Sequence, residues 1–122
     1  MPDYEEYDKL DLTLREQVYC ALLTRHDKNV GRIRESVEKL GIASNTIIMW
    51  TNELGKGNSH TLDNIPFVLV GNGLNFRMGR SLKYDRVPHN RLLLTFAHAM
   101  GHEIDTFGKP ELCNGGTLPD LA

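Results

Sequence analysis

Asn52, Glu53, Asn58 and His60 crowd into one short stretch, "TNELGKGNSH", residues 51–60. A carboxylate brings charge and hard oxygens, an imidazole brings a borderline-soft nitrogen, and the two amides bring neutral carbonyls. Together such groups can hold a divalent cation, Zn²⁺, Ca²⁺ or Mg²⁺. Asn, Ser and Gly are equally the residues of any tight turn, so the spacing alone leaves both readings open. A second candidate is Arg77, Arg80 and Lys83, in the Gly-rich and basic region 72–87. They could clamp a phosphate or sulfate, or simply solvate a loop. His98 and His102 stand four apart, the spacing of helical metal sites, but Gly101 between them puts the second past a helix end and favours surface histidines, as for His89. Ser36, Ser44, Ser59 and Ser81 lack a G-x-S-x-G elbow, and no G-x-G-x-x-G opens a helix.

The elements that must position these residues follow from periodicity. "TLRE", Thr13 to Glu16, has the form of a capping box. Behind it Leu14, Val18, Leu22, His26, Val30, Ile33, Val37 and Leu40 recur every three or four residues, one apolar stripe along a long helix that Gly41 ends. His26 on that stripe reads as a core or boundary histidine, and Gly31 marks a weak point near the middle. Apolar runs at 46–50 and 65–71 read as strands. Their continuity is what a parallel sheet covered on both faces requires, with Ile47, Ile48, Met49 and Trp50 buried. The loop 51–64 then leaves a strand end, where open α/β sheets gather ligands. A last helix follows Pro88, with Leu93, Phe96, Ala97 and Met100 on one face and Gly101 as its stop. The expected architecture is a single α/β domain over residues 1–122. Its acidic N-terminus, 1–12, is expected to be flexible, and its tail, 109–122, to be loop-like.

Composition narrows the classes. The chain has 122 residues, 40% hydrophobic and 25% charged, enough for one small domain with a core. A net charge of −2 gives no field that would gather nucleic acid or anionic lipid. No apolar run reaches membrane-spanning length, and "MPDYEEYDKLDL" is acidic where a signal peptide is basic and apolar. Cys20 and Cys113 lie far apart without metal or redox spacing.

The stretch from Tyr19 to Gly55 resembles the part of sulfatases and related phosphatases that runs from a helix into a metal-binding strand end. Tyr19 and Ala21, Asp27, Val30-Gly31, Asn45-Thr46 and Asn52-Glu53-Leu54-Gly55 stand at that pattern's places. Downstream, "NELGKGNSHTLDNIPFVLVGNG" through "GRSLKYDRVPHNRLLLTFAHAMG", with "DTFG" at 105–108, is similar to an uncharacterised bacterial family of the same alkaline-phosphatase-like superfamily. The resemblance covers residues 15–108.

It implies a partial alkaline-phosphatase-like sheet with flanking helices, and an ancestral chemistry of metal-assisted phosphate or sulfate ester hydrolysis. Glu53, His60 and Asn52 would be metal ligands, Asn58 and Arg80 substrate contacts, and Leu54 a lost ligand facing the core. Glu53 and His60 are expected in one concavity. The superfamily's nucleophile and first metal carboxylates belong upstream of these blocks, and nothing before the first helix resembles them, so no catalytic residue is assigned. The chain is therefore expected to be the C-terminal part of a larger domain and inactive alone. The alternatives are a non-catalytic binding or assembly module, or a subunit completed by a partner chain; self-association, poor solubility or dependence on a partner chain is expected. The resemblance implies a periplasmic or secreted location, although this chain carries no signal peptide of its own.

Overall fold

Thr13 starts the first helix as its spacing to Glu16 predicts. In the computed structural model, which describes residues 5–121, the Thr13 amide donates to the Glu16 carboxylate at 2.8 Å and the Glu16 amide donates to the Thr13 hydroxyl at 3.4 Å. Helix α1 runs Leu14–Lys39 and passes through Gly31 without a break. It ends at Gly41, whose φ of 69° lets the Gly41 amide reach Glu38 O and the Ile42 amide reach Val37 O. The first residues of the acidic N-terminus fall outside the described residues. From Glu5 onward the segment turns, the Tyr7 phenol hydrogen-bonds the Thr24 hydroxyl, and Glu6 pairs with Lys28 at 3.6 Å. Ala21 is buried, whereas Leu14, Leu22, Ile33 and Leu40 of the expected apolar stripe are exposed.

Between Ile42 and Ala43 the chain divides into two units. The second unit holds a 3-10 turn at Ala43–Asn45, strands β1 (Ile47–Thr51) and β2 (Phe67–Gly71), a turn at Gly73–Asn75, helix α2 (Asn90–Ala99) and a turn at Pro110–Leu112. Mixed α/β composition is correct, but the parallel sheet is not. β1 and β2 pair antiparallel, Ile48 opposite Val70 and Trp50 opposite Val68. The reason lies in the 52–66 connection, which contains no helix. A parallel return needs a crossover that is usually helical, and this segment instead brings the chain back beside β1 as a ribbon with a long excursion at its end.

Antiparallel register sorts the apolar run into two faces. Ile47, Phe67 and Leu69 pack on a core of Phe76, Leu92, Leu118 and Leu121. Ile48, Trp50, Val68 and Val70 share the other face by register. There Val68 and Val70 remain 51% and 54% exposed, and Trp50 is exposed as well, so the expected burial of Met49 and Trp50 does not hold.

Helix α2 ends as its Gly101 predicts, with the same pair of bonds as α1: Gly101 N to His98 O and His102 N to Ala97 O. Its buried residues are Leu92, Leu94, Thr95 and Ala97, whereas Met100 is exposed. The tail explains the wider buried surface. Although it is loop in conformation, it inserts Leu118 and Leu121 into the core. The Arg91 guanidinium holds it through Gly116 O at 2.7 Å, Gly115 O at 2.8 Å and Thr117 O at 3.0 Å. Thr95 donates to Arg91 O at 2.7 Å and accepts from the Leu118 amide at 2.8 Å.

Hydrogen bonds to a charged group contribute about 1.5–3 kcal/mol each at most contexts, with strong non-additivity. Arg91→Ala is therefore expected to lower the urea midpoint of the second unit by a loss of about 2–3 kcal/mol, followed by Trp50 fluorescence. Arg91→Lys should recover only part of it, because one ammonium cannot span three carbonyls.

Candidate functional site

The 52–66 excursion carries four of the five residues expected as metal ligands or substrate contacts, Asn52, Glu53, Asn58 and His60. Its base is closed by the Thr51 hydroxyl donating to Pro66 O at 2.9 Å and by the Gly55 amide donating to Thr61 O at 2.8 Å. Lys56 and Thr61 form an isolated antiparallel bridge. Gly55 is required here by space. A Cβ at this position would sit 1.6 Å from Asp63 O, so the strand of loop returning at Asp63 crosses directly over it. His60 and Asn64 have φ of 51° and 55°, a left-handed backbone used at turns.

On this frame Asn52, Glu53, Asn58 and His60 are all exposed, and Leu54 is half-buried. None of the four lines the cleft described below. Among the described residues no three His, Cys, Asp or Glu side chains stand close enough together to hold a metal ion. The loop offers two carboxylates, Glu53 and Asp63, and one imidazole, His60, without gathering them into a cluster such as a closed cation site uses. The ligand-gathering crevice expected beyond the strand end belongs to open parallel α/β sheets, and this ribbon is antiparallel.

Beside the loop, Asp63 has its carboxyl held below the ordinary aspartate range. The cause is first the Thr61 hydroxyl, which is buried without a hydrogen bond of ordinary geometry, then the Asp63 backbone amide, with Lys56 a smaller electrostatic contribution.

A larger concavity than this loop offers lies elsewhere in the second unit. It is a half-open cleft of about 1080 Å³ between the 62–67 return of the loop and the irregular segment 76–89. Phe67, Leu69, Phe76 and Leu92 form its floor, and Arg77, Arg80, Lys83 and Arg86 stand on its walls with Asp63 and Asp85. Arg80, expected to contact substrate, spends its Nε–H on Arg77 O at 2.8 Å and an Nη2–H on Asp120 O. It ties the wall to the tail. Tyr84 does the same, its hydroxyl donating to Pro119 O at 2.5 Å; burial first, then the nearby Asp120 charge, raises its pKa.

Arg86 and the cleft itself were missed by reasoning from the sequence. A signal existed: Arg77-Met78, Lys83-Tyr84 and Arg86-Val87 each place a basic residue before an apolar one. Met78, Tyr84 and Val87 pack on the core, which leaves the basic members at the surface. His98, beyond the cleft, pairs its Nε2 with Ile104 O at 2.7 Å, and His102 lies past the end of α2 as its spacing from Gly101 predicts.

No family model, curated protein or solved structure matches this chain. Among the described residues no helix is long and apolar enough to cross a membrane.

Two outcomes follow for the loop. Gly55→Ala should open its base, seen as faster amide exchange at position 55 with α2 amides unchanged. The lowered Asp63 pKa means that its contribution is present above the unfolded-state value and lost as pH falls through the folded one. Amide protection in the loop should therefore fall on acidification through the aspartate range, and Asp63→Asn should remove that dependence.

Proposed function

We propose that this chain is a binding and assembly module of sulfatase-like or alkaline-phosphatase-like ancestry, and that any ester hydrolysis belongs to an assembly rather than to the chain alone. The observation that carries this reading is the second face of the β1–β2 ribbon. Val68 and Val70 lie side by side on β2 with more than half their surface exposed, opposite strand positions that are also apolar. Burying such side chains contributes on the order of 1.5–3 kcal/mol each. Both strands are also edges, each with one neighbour among the described residues, so their outer backbone groups suit pairing with further chain.

A second copy is the simplest occupant, because a symmetric pair places the same apolar face against itself. The resemblance to sulfatases and phosphatases favours a second reading, in which a different chain covers this face and brings the nucleophile. Under it, Glu53 and His60 would lie at the rim of a shared site, with Asn52 and Asn58 on the same loop.

Light scattering on the purified chain should give a mass above the monomer that rises with concentration. Val68→Thr with Val70→Thr should shift it toward the monomer while leaving the circular dichroism spectrum intact. A wild-type monomer at all concentrations would rule out the symmetric pair. The isolated chain, supplied with Zn²⁺, Ca²⁺ or Mg²⁺, should not turn over aryl phosphates or sulfates; turnover lost in Glu53→Ala would contradict the proposal.

A further inference from the structure

The cleft between the 62–67 return and the 76–89 segment combines two chemistries. Its floor is apolar and aromatic, built from Phe67, Leu69, Phe76 and Leu92. Its walls carry four basic side chains against two acidic ones, on a chain whose overall net charge is −2. The sign of the charge is thus reversed locally, and a concave surface with low-dielectric walls concentrates that field.

The basic groups are not consumed by ion pairs. Among the described residues the ion pairs join Lys28 to Glu6, Arg34 to Glu38 and Lys39 to Glu35, all on or beside α1. Arg80 is engaged by backbone carbonyls and acts as a brace. Arg77, Lys83 and Arg86 remain exposed on the wall, each beside an apolar residue seated on the core. The backbone that presents them is pinned: the Arg77 amide donates to Leu121 O at 2.9 Å, and Tyr84 is held to Pro119. Arg86 takes a left-handed backbone, φ 51°, in a turn that leads into Val87.

We infer that this cleft is a binding site for a small amphipathic organic anion, an alkyl or aryl sulfate, phosphate or carboxylate. The apolar body lies on Phe67, Leu69 and Phe76, and the anionic head is met by Arg77, Lys83 and Arg86. The volume is of the order of a site for a small organic molecule. Guanidinium groups suit planar or tetrahedral oxyanions through paired N–H donors, which sets the head-group class. This inference is independent of the association proposed for the ribbon face, because Val68 and Val70 are not part of the cleft.

The test is calorimetry of the whole chain with sodium decyl sulfate kept below its micelle concentration. Decanol and inorganic sulfate serve as the two half-ligands. Saturable binding of decyl sulfate is expected, at least tenfold tighter than either half-ligand and weakened by added salt. The triple variant R77Q/K83Q/R86Q should lose at least tenfold in affinity, whereas R34Q on α1 should lose none. Lys83→Gln alone, at an exposed position, should give a smaller loss in the same direction if the triple variant does not fold. Decanol binding as tightly as decyl sulfate, an equal loss in R34Q, unchanged affinity in the folded basic-residue variants, or no binding of decyl sulfate would each overturn the inference.

Discussion

A two-stranded ribbon with apolar side chains on both faces can bury only one of them against a single core. That constraint organises the second unit. Register assigns Ile47, Phe67 and Leu69 to the side packed on Phe76, Leu92, Leu118 and Leu121. It leaves Val68 and Val70 on the other side, exposed. Two strands alone are marginal in water, so the ribbon depends on its packed face for persistence. The open face is then the surface where further polypeptide would contribute most, and this links the packing to the proposed role in assembly.

The packed face in turn depends on the tail. Leu118 and Leu121 come from a segment without helix or strand beyond the turn at Pro110–Leu112, so its position must be fixed by side chains. Arg91 and Thr95 on α2 do this by meeting the carbonyls of 115–117 and the Leu118 amide. Arg80 and Tyr84 hold the same tail from the cleft wall through Asp120 O and Pro119 O. The cleft is therefore framed by the same interactions that complete the core.

The local features were legible because they depend on neighbours in sequence. The capping box at Thr13–Glu16 and the glycine stops at Gly41 and Gly101 are short-range geometry, and each appears as its residues specify. Strand direction was not legible. A continuous apolar run is compatible with either direction, and the 52–66 connection is long enough for both until its lack of a helix is known. The tail's place in the core was hidden for the same reason, since Leu118 and Leu121 carry no periodic pattern. At the site, the residue types of the 52–60 loop were visible, yet their spatial relation depends on a fold-level rule for parallel sheets that this ribbon does not follow. The cleft arises from long-range packing of 62–67, 76–89 and the tail, which no local window contains.

Backbone amide exchange, read residue by residue at increasing protein concentration, tests the central claim most directly. If the ribbon's second face is an assembly surface, protection in Ile47–Thr51 and Phe67–Gly71 should rise with concentration, while protection in Asn90–Ala99 stays constant. Concentration-independent protection in both strands, equal to that of α2, would contradict the account, because it would mean that the ribbon is already complete within one chain.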